Sequence, residues 1–190
     1  MPPITALLHT ENDALRLGRC LETLYACDEI LIVDHGSRDG TVRIARQYGA
    51  RVVDAGPGVS FPQHPQFDAR GWILALEPRE SLTESLAASL FAWKHEWNTE
   101  SHAEARSSGT SLAESKSAEL SSAEFTAESA TDPAAFSVFL REERVGGWAG
   151  GAAAQTRLVP ATWKAWNRNI PIHQASAIAL RGELLRFAFP

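Results

Sequence analysis

In the first part of the chain, short continuous runs of apolar residues alternate with segments in which apolar residues recur every three or four positions. Runs of apolar residues predict strands over 4–9, 30–33 and 51–53, and apolar positions three and four residues apart predict helices between them. Asn12 or Asp13 is suited to capping the first helix, and the second helix is predicted over roughly Thr41 to Tyr48. The order strand-helix-strand-helix-strand implies a parallel sheet with right-handed crossovers. The chain is therefore predicted to have an α/β fold.

The middle of the chain continues this pattern after a gap. Three prolines predict an irregular loop over 56–67, and a continuous apolar run then predicts a buried strand over 71–76 that ends at Glu77. The capping-box pattern Ser81-Leu82-Thr83-Glu84 predicts the start of a third helix, whose apolar positions recur at helical spacing.

The last part of the chain reads mainly as β structure. Alternation predicts a strand from Phe136 to Arg141, and the glycines of 146–151 predict a flexible loop. Two apolar runs, 178–180 and 184–189, are separated by Arg181-Gly182-Glu183 and predict a carboxyl-terminal β-hairpin.

Ser, Ala and Glu dominate between 99 and 132, where apolar residues are too sparse for a face that packs on a core. This segment is predicted to be an insertion, and its composition leaves disorder and a marginal helix equally open. Residues 1–98 and 133–190 are then the two halves of one domain.

Composition and net charge do not indicate a particular class of binding partner. A chain of 190 residues with 44% hydrophobic content can bury one sizeable core. The formal charge of -5 does not favour binding to nucleic acid or to an anionic membrane surface through bulk electrostatics. Cys20 and Cys27 suit reduced thiols, which favours a reducing cytoplasm. We expect neither a signal peptide nor a transmembrane span, because no apolar run approaches about 18 residues.

The segment from Glu29 to Thr41 carries the strongest functional pattern. A buried strand ends in Asp34, and Gly36 and Gly40 let the backbone bend before the next helix. Open α/β folds bind ligands at the carboxyl ends of their strands, so Asp34 is predicted to contact a ligand, whereas Asp39 is better suited to capping the helix.

Five segments of the amino-terminal half share an order and spacing with a known family: 4–12, 19–24, 28–41, 44–52 and 69–76. On these residues the chain resembles the family 2 glycosyltransferases, in particular small bacterial members that act in lipopolysaccharide and cell-envelope synthesis. A looser match covers Trp148, 156–158, 163–166 and 171–174.

The resemblance implies the glycosyltransferase A fold of nucleotide-diphospho-sugar transferases, with a Rossmann-like, mostly parallel sheet and flanking helices. It implies that Asp34 contacts the nucleoside and that Thr10, Glu11 and Asn12 line the same pocket. Residues 1–98 would bind the nucleotide-sugar, and residues 133–190 would form the acceptor side of the same domain.

One departure from the family concerns a metal. Family members usually have Leu-Asp-Ala-Asp-Glu where this chain has Leu76-Glu77-Pro78-Arg79-Glu80. Glu77 can offer oxygen ligands to Mg²⁺ or Mn²⁺, so a divalent metal remains an expectation, but Arg79 would repel one. Either Arg79 takes over the stabilisation of the leaving diphosphate, or it pairs with Glu77 or Glu80 at the surface of a decayed site. Glu77 and Arg79 are both expected near the donor nucleotide.

A second departure concerns the catalytic base. The family commonly has His-Glu where this chain has His173-Gln174, and an amide cannot accept the proton of an acceptor hydroxyl. His173 is therefore a candidate base, although a lone histidine more often has a structural role. Glu80 is the second candidate catalytic residue. Trp148, Trp163 and Trp166 suit either stacking on a sugar or packing.

The predicted function is an inverting transfer of a sugar from a nucleotide-diphospho-sugar to an envelope glycan or lipid acceptor. The alternative is a catalytically degenerate member of the family that acts as a nucleotide-binding or protein-interaction module, as the changes at Arg79 and Gln174 would allow. Nucleic acid is not an expected partner. The expected location is the cytoplasm, with peripheral contact at the inner membrane left open.

Overall fold

A computed structural model describes residues 1–55, 71–107, 135–151 and 153–189, the range 98–107 by its backbone alone. The predicted loop at 56–67 lies outside the described residues, as do residues 108–132 of the predicted insertion. Residues 99–107 continue a helix that begins in the preceding segment.

The amino-terminal half is a parallel sheet with two connecting helices, as predicted. Its strands lie side by side in the order β3-β2-β1-β4, and all three contacts between them are parallel. The elements are β1 (Ile4–Thr10), α1 (Ala14–Glu22), β2 (Glu29–Asp34), α2 (Thr41–Gln47), β3 (Arg51–Asp54) and β4 (Trp72–Leu76).

Five of the remaining strands extend the same sheet in mixed directions, and the other two form a separate two-stranded sheet. Beyond β4 the order is β8-β6-β11-β5; β8 runs antiparallel to β4 and β6, β11 runs parallel to β6, and β7 pairs with β6. The elements are β5 (Glu80–Leu82), α3 (Glu84–Ser107), β6 (Phe136–Arg144), β7 (Gly147–Gly150), β8 (Gln155–Pro160), β9 (Trp166–Asn167), β10 (Ile170–Pro171) and β11 (Ile178–Arg186).

The predicted carboxyl-terminal hairpin is wrong, because 178–186 is one strand, β11. Its register against β6 shifts between Ala179 and Glu183, so the residues around Gly182 bulge instead of turning back. Gly182 has a φ of +96°, and a Cβ atom there would overlap the backbone of Leu86 at the start of α3. Glycine at 182 thus allows the strand to approach the helix closely.

Two further predictions need correction. The glycine-rich segment 146–151 contains β7, which forms a hairpin with β6 in which Arg144 and Gly147 are partners across the turn. The predicted capping box begins too early, because Ser81 belongs to β5. Helix α3 is capped by Thr83 instead, whose Oγ1 accepts a hydrogen bond from the Leu86 N–H at 3.3 Å.

Both faces of the sheet are covered by apolar groups, because successive residues of a strand point to opposite faces. On one face, the buried residues of α1 and α3 pack against Leu8, Ile32 and Leu74. On the other face, Leu7 and Ile73 pack with the partly buried Trp163 and Trp166. This double cover leaves the strand ends as the part of the parallel sheet that can meet a ligand.

Candidate functional site

Asp34 ends β2 directly beside Thr10, the last residue of β1. Its carboxylate accepts hydrogen bonds from the hydroxyls of Thr10 at 2.9 Å and Ser37 at 2.5 Å, and from the N–H groups of Gly36 at 3.2 Å and Ser37 at 2.9 Å. Burial alone would raise the pKa of Asp34, but these hydrogen bonds hold it below its ordinary value. Asp34 is therefore an ionised, fixed carboxylate at the carboxyl edge of the sheet.

The turn after β1 is bound to the turn after β2. Asn12 has a φ of 60°, its N–H donates to Ser37 Oγ at 2.9 Å, and its Oδ1 accepts from the Arg38 N–H at 2.8 Å. Asparagine tolerates this left-handed backbone conformation better than most residues. Glu11 is exposed beside it. The structure thus brings the predicted residues Thr10, Glu11 and Asn12 to the same edge as Asp34.

Asp39 stabilises the same edge, because it accepts hydrogen bonds from residues at the start of two helices. Its Oδ1 accepts from the N–H and the hydroxyl of Thr41 at 2.9 and 2.5 Å, and its Oδ2 accepts from the N–H of Ala14 at 3.1 Å. Thr41 Oγ1 in turn accepts from the N–H of Asp13 at 2.8 Å. The predicted capping role of Asp39 in α2 extends to the first residue of α1, and the two turns become one unit.

His9 supports this edge from the interior. It is 8% exposed, and its Nδ1 lies 2.8 Å from Nε2 of His35, the residue after Asp34. Burial, and then the neighbouring His35, lowers the pKa of His9 to about 3. His9 is therefore neutral near pH 7 and can hold His35 through a hydrogen bond between the two rings.

Glu77 follows β4 and is engaged by arginine on both carboxylate oxygens. Its Oε2 is 2.9 Å from Nε of Arg79, and its Oε1 is 3.1 Å from Nη2 of Arg186. Arg79 is about half exposed, with 45% of its side chain accessible. The pairing of Arg79 with Glu77 is the one expected if Arg79 has a surface structural role, while its exposure keeps the guanidinium accessible to an anion.

Glu80, a predicted catalytic candidate, lies in the interior at 0% exposure. Its carboxylate accepts two hydrogen bonds from Arg157, two from Arg186 and one from the N–H of Glu77, all at 2.8–3.1 Å. Glu80 and the two arginines thus fix the turn from Glu77 to Glu80 in one conformation. Glu80 is built to position Glu77 and does not face a ligand.

An open groove of about 510 Å³ lies beside Glu77. Its opposite wall is the turn between β9 and β10, formed by Asn167, Arg168 and Asn169. Arg168 has a φ of 53° and is exposed, so a cation faces the groove from a strained turn. The groove combines amide groups, a carboxylate and a guanidinium, a set that suits a polar, anionic ligand.

His173 and Gln174 are held by one hydroxyl of β8. Thr156 Oγ1 lies 3.1 Å from Nδ1 of His173 and accepts from the N–H of Gln174 at 3.1 Å. His173 is exposed, and its contact with Thr156 is made through Nδ1 and not through Nε2. The geometry orients the imidazole and leaves Nε2 as the atom that could accept a proton.

The residues around Glu77 do not fit a divalent metal. Mg²⁺ and Mn²⁺ need several oxygen or nitrogen ligands, but no group of three His, Cys, Asp or Glu side chains is near enough to hold an ion among the residues that the structure describes. Both oxygens of Glu77 contact guanidinium groups, which already neutralise the carboxylate. The roles proposed for these residues do not involve a bound metal.

The three candidate tryptophans differ in their surroundings. Trp163 and Trp166 are partly buried against the core, and their indole N–H groups donate to the carbonyl oxygens of Ala165 and Trp163. Their contacts are those of packing residues. Trp148 is 43% exposed and packs its ring edge-on against Phe187, with ring centres 5.2 Å apart.

Sequence reasoning missed three arginines of this region: Arg157, Arg168 and Arg186. Arg157 carried a signal, since a charged residue inside an otherwise apolar strand needs a buried partner. Arg168 and Arg186 gave no signal in the sequence. Glu77, which lines the groove with Arg168, and Glu80, which pairs with Arg186, both lie far away along the chain.

The comparisons with known proteins give relatives by sequence. The chain is 40% identical over 63 residues to the lipopolysaccharide core biosynthesis glycosyltransferase LpsC of Rhizobium meliloti (strain 1021), covering 33% of this chain and 22% of that protein. It is 33% identical over 89 residues to an uncharacterized glycosyltransferase of Rickettsia felis, covering 44% and 31%. Part of this chain is thus similar in sequence to bacterial glycosyltransferases. It spans less than a third of the length of these two relatives, and no family model matches it.

Two solved structures are also similar to part of this chain. One is Staphylococcus aureus TarS 1–349 in complex with UDP-GlcNAc, at 19% identity and a TM-score of 0.41, covering 50% of this chain and 31% of that one. Another is glucosyl-3-phosphoglycerate synthase from Mycobacterium tuberculosis with Mn²⁺, uridine-diphosphate and glucosyl-3-phosphoglycerate, at 20% identity and a TM-score of 0.33, covering 42% and 34%. The elements and their order confirm the predicted α/β architecture. Across the described ranges, no helix is long and apolar enough to span a bilayer.

Proposed function

We propose that this chain acts as an inverting glycosyltransferase that transfers a sugar from a nucleotide-diphospho-sugar to an envelope glycan or lipid acceptor. The main support is the fixed, ionised Asp34 at the carboxyl edge of the parallel sheet, in a chain related to glycosyltransferases. LpsC is named for lipopolysaccharide core biosynthesis, which favours an envelope acceptor. The relatives do not favour the catalytically degenerate alternative.

In this proposal the nucleoside binds over the ends of β1 and β2. The donor's base or ribose donates to Asp34 Oδ1 in place of the Ser37 hydroxyl, while Thr10 and Asn12 line the pocket. Four hydrogen bonds already orient Asp34, so little side-chain entropy is lost when the nucleotide binds. Glu11, on the exposed side of the same turn, would border the ligand.

The diphosphate then occupies the groove beside Glu77. Arg168 on its wall, and Arg79 paired with Glu77 beside it, supply positive charge where negative charge develops on the leaving group. Glu77 holds Arg79 in place, and Glu80 holds Glu77, so Glu80 contributes to catalysis through positioning. A divalent metal at Glu77 is not needed for this assignment of roles.

His173 serves as the base in this proposal. Nε2 accepts the proton of the acceptor hydroxyl as its oxygen attacks the anomeric carbon, and the bond from that carbon to the donor diphosphate breaks. Thr156 orients the ring, which a general base requires. Action on an envelope acceptor would place the protein in the cytoplasm with peripheral contact at the inner membrane.

A thermal-unfolding screen tests the proposal. Uridine, guanosine, adenosine and thymidine diphosphates and their sugars are titrated with and without Mn²⁺ while the midpoint of unfolding is recorded. A ligand at a hundred times its dissociation constant stabilises the folded state by about 2.7 kcal/mol, which is easily detected. Stabilisation by one nucleotide in metal-free buffer supports the proposal. No stabilisation by any nucleotide, with or without Mn²⁺, would reject it.

A further inference from the structure

A surface that combines aromatic and cationic side chains lies at one end of the molecule. We define it as the aromatic–arginine surface, formed by Arg16, Arg19, Val145, Trp148, Phe187 and Phe189. Arg16, Arg19, Phe187 and Phe189 line one shallow cleft, and Trp148 joins it through its ring contact with Phe187. The guanidinium of Arg19 lies 4.2 Å from the centre of the Phe187 ring.

Its apolar members are unusually open to solvent. Val145, at the tip of the β6–β7 hairpin, is 95% exposed, and Trp148 and Phe189 are 43% and 52% exposed. A single exposed apolar residue needs no explanation, but three on adjoining segments form a patch. Val145 lies on a hairpin of two strands that extends from the sheet. The tip of this hairpin can therefore enter apolar surroundings without disturbing the core.

The cations of this surface are available to an external anion. The buried Nε of Arg16 has no hydrogen-bond partner in the described part of the chain, and Asp13 is a carboxylate close enough to Arg16 to interact with its charge. On the neighbouring hairpin, Glu142 pairs with Arg186, whereas Glu143 accepts from backbone N–H groups and keeps its charge. The cleft itself is lined by the guanidinium groups of Arg16, Arg19 and Arg79 and, among the described residues, by no carboxylate, in a protein whose formal charge is -5.

We propose that the aromatic–arginine surface docks on an anionic lipid bilayer, with Val145, Trp148 and Phe189 entering the headgroup region and Arg16 and Arg19 contacting lipid phosphates. Exposed aromatic groups flanked by arginine are typical of side chains that settle at a membrane interface. An anionic membrane offers phosphates and apolar chains at adjoining depths, which matches guanidinium groups beside an exposed apolar tip. The proposal depends on the proposed function only for the identity of the acceptor.

Co-sedimentation with vesicles tests the docking surface. The unmodified protein should bind vesicles of phosphatidylcholine with phosphatidylglycerol, and lose binding to phosphatidylcholine alone and at high salt. Arg16→Gln with Arg19→Gln should weaken binding about thirtyfold, since each basic residue contributes about fivefold. Arg43→Gln with Arg46→Gln removes two exposed arginines at the same spacing from α2 and should have little effect.

A second variant addresses the apolar tip without risk to folding. Val145→Glu changes a residue that is 95% exposed, and it should abolish vesicle binding, whereas Phe91→Glu, at 47% exposure on α3, should not. Equal effects of both glutamates, or equal effects of both arginine pairs, would overturn the proposal. So would competition by inorganic phosphate at equal phosphate concentration, which would indicate a site for free phosphate. Nucleotide titration of the same variants keeps this test separate from the proposed function.

Discussion

Glu80 and Arg157 form a two-point ion pair in the interior of the protein, with Nη1 to Oε2 at 3.1 Å and Nη2 to Oε1 at 2.9 Å. The side chains are 0% and 1% exposed. Arg186 adds a second guanidinium at 2.8 Å from Glu80, and Glu80 accepts the N–H of Glu77. The pair thus connects the core to the turn that carries Glu77 and Arg79.

Removal of one partner of this pair should be strongly destabilising. Glu80→Ala leaves Arg157 charged and buried, and we expect a loss of about 3–5 kcal/mol in the free energy of unfolding, measured with urea. The double variant Glu80→Leu with Arg157→Met removes both charges and should lose much less. If Glu80→Ala alone costs under about 1 kcal/mol, the pair does not have the structural role assigned to it.

Gly182 and Gly146 form a matched pair of backbone positions, since both have a φ of +96°. Alanine at either position carries the strain of the left-handed conformation, about 1–2 kcal/mol. At Gly182 the added Cβ also overlaps the backbone of Leu86, while at Gly146 it meets open space. Gly182→Ala should therefore destabilise the protein by clearly more than Gly146→Ala in thermal unfolding. Equal losses would contradict the close approach of β11 to α3.

His9 should make stability depend on pH below neutrality. Its pKa is about 3 in the folded protein and near 6.5 in the unfolded chain, so between these values the unfolded chain binds the proton more strongly. Stability is fully present above pH 6.5 and falls as the pH decreases, by up to about 1.4 kcal/mol per pH unit. The difference in unfolding free energy between the unmodified protein and His9→Asn, measured from pH 7 to 5, should shrink with acidification. A constant difference would contradict the buried, neutral His9.

Arg168 should contribute to diphosphate binding without affecting the nucleoside. Arg168→Gln removes the cation from the groove beside Glu77, and we expect the affinity for a nucleoside diphosphate to fall about tenfold, as for the loss of one charged hydrogen bond. Lys164→Gln removes an exposed cation of the same segment and is the control. Calorimetric titration of nucleoside and nucleoside diphosphate separates the two contributions. An equal loss for both ligands would exclude a specific role at the phosphates.

The parallel half could be predicted because its elements are encoded locally. Periodic apolar residues define β1, α1, β2, α2 and β3, and parallel strands then bring Thr10 and Asp34 to one edge by geometry alone. The sequence could not show that Ser37 and Asn12 tie the two turns together, but it did contain the polar residues that do so.

The second half was harder to predict because its structure depends on distant pairing. The predicted loop at 146–151 contains β7, because β6 pairs with it, and Gly182, which read as a hairpin turn, lies in a bulge within β11. Glu80 looked like an exposed acid beside the changed motif. Its partner Arg157 lies 77 positions away, a separation at which local spacing carries no information.

The most direct test of the central claim is the affinity of the unmodified protein and of Asp34→Asn for the nucleotide that stabilises it best, measured by calorimetry. Asp54→Asn, at the end of the next strand along the same edge, is the control. We predict that Asp34→Asn weakens binding at least tenfold, since it removes a charged acceptor, and that Asp54→Asn binds normally. Normal binding by Asp34→Asn, in a protein that remains folded, would contradict a nucleotide site at the ends of β1 and β2.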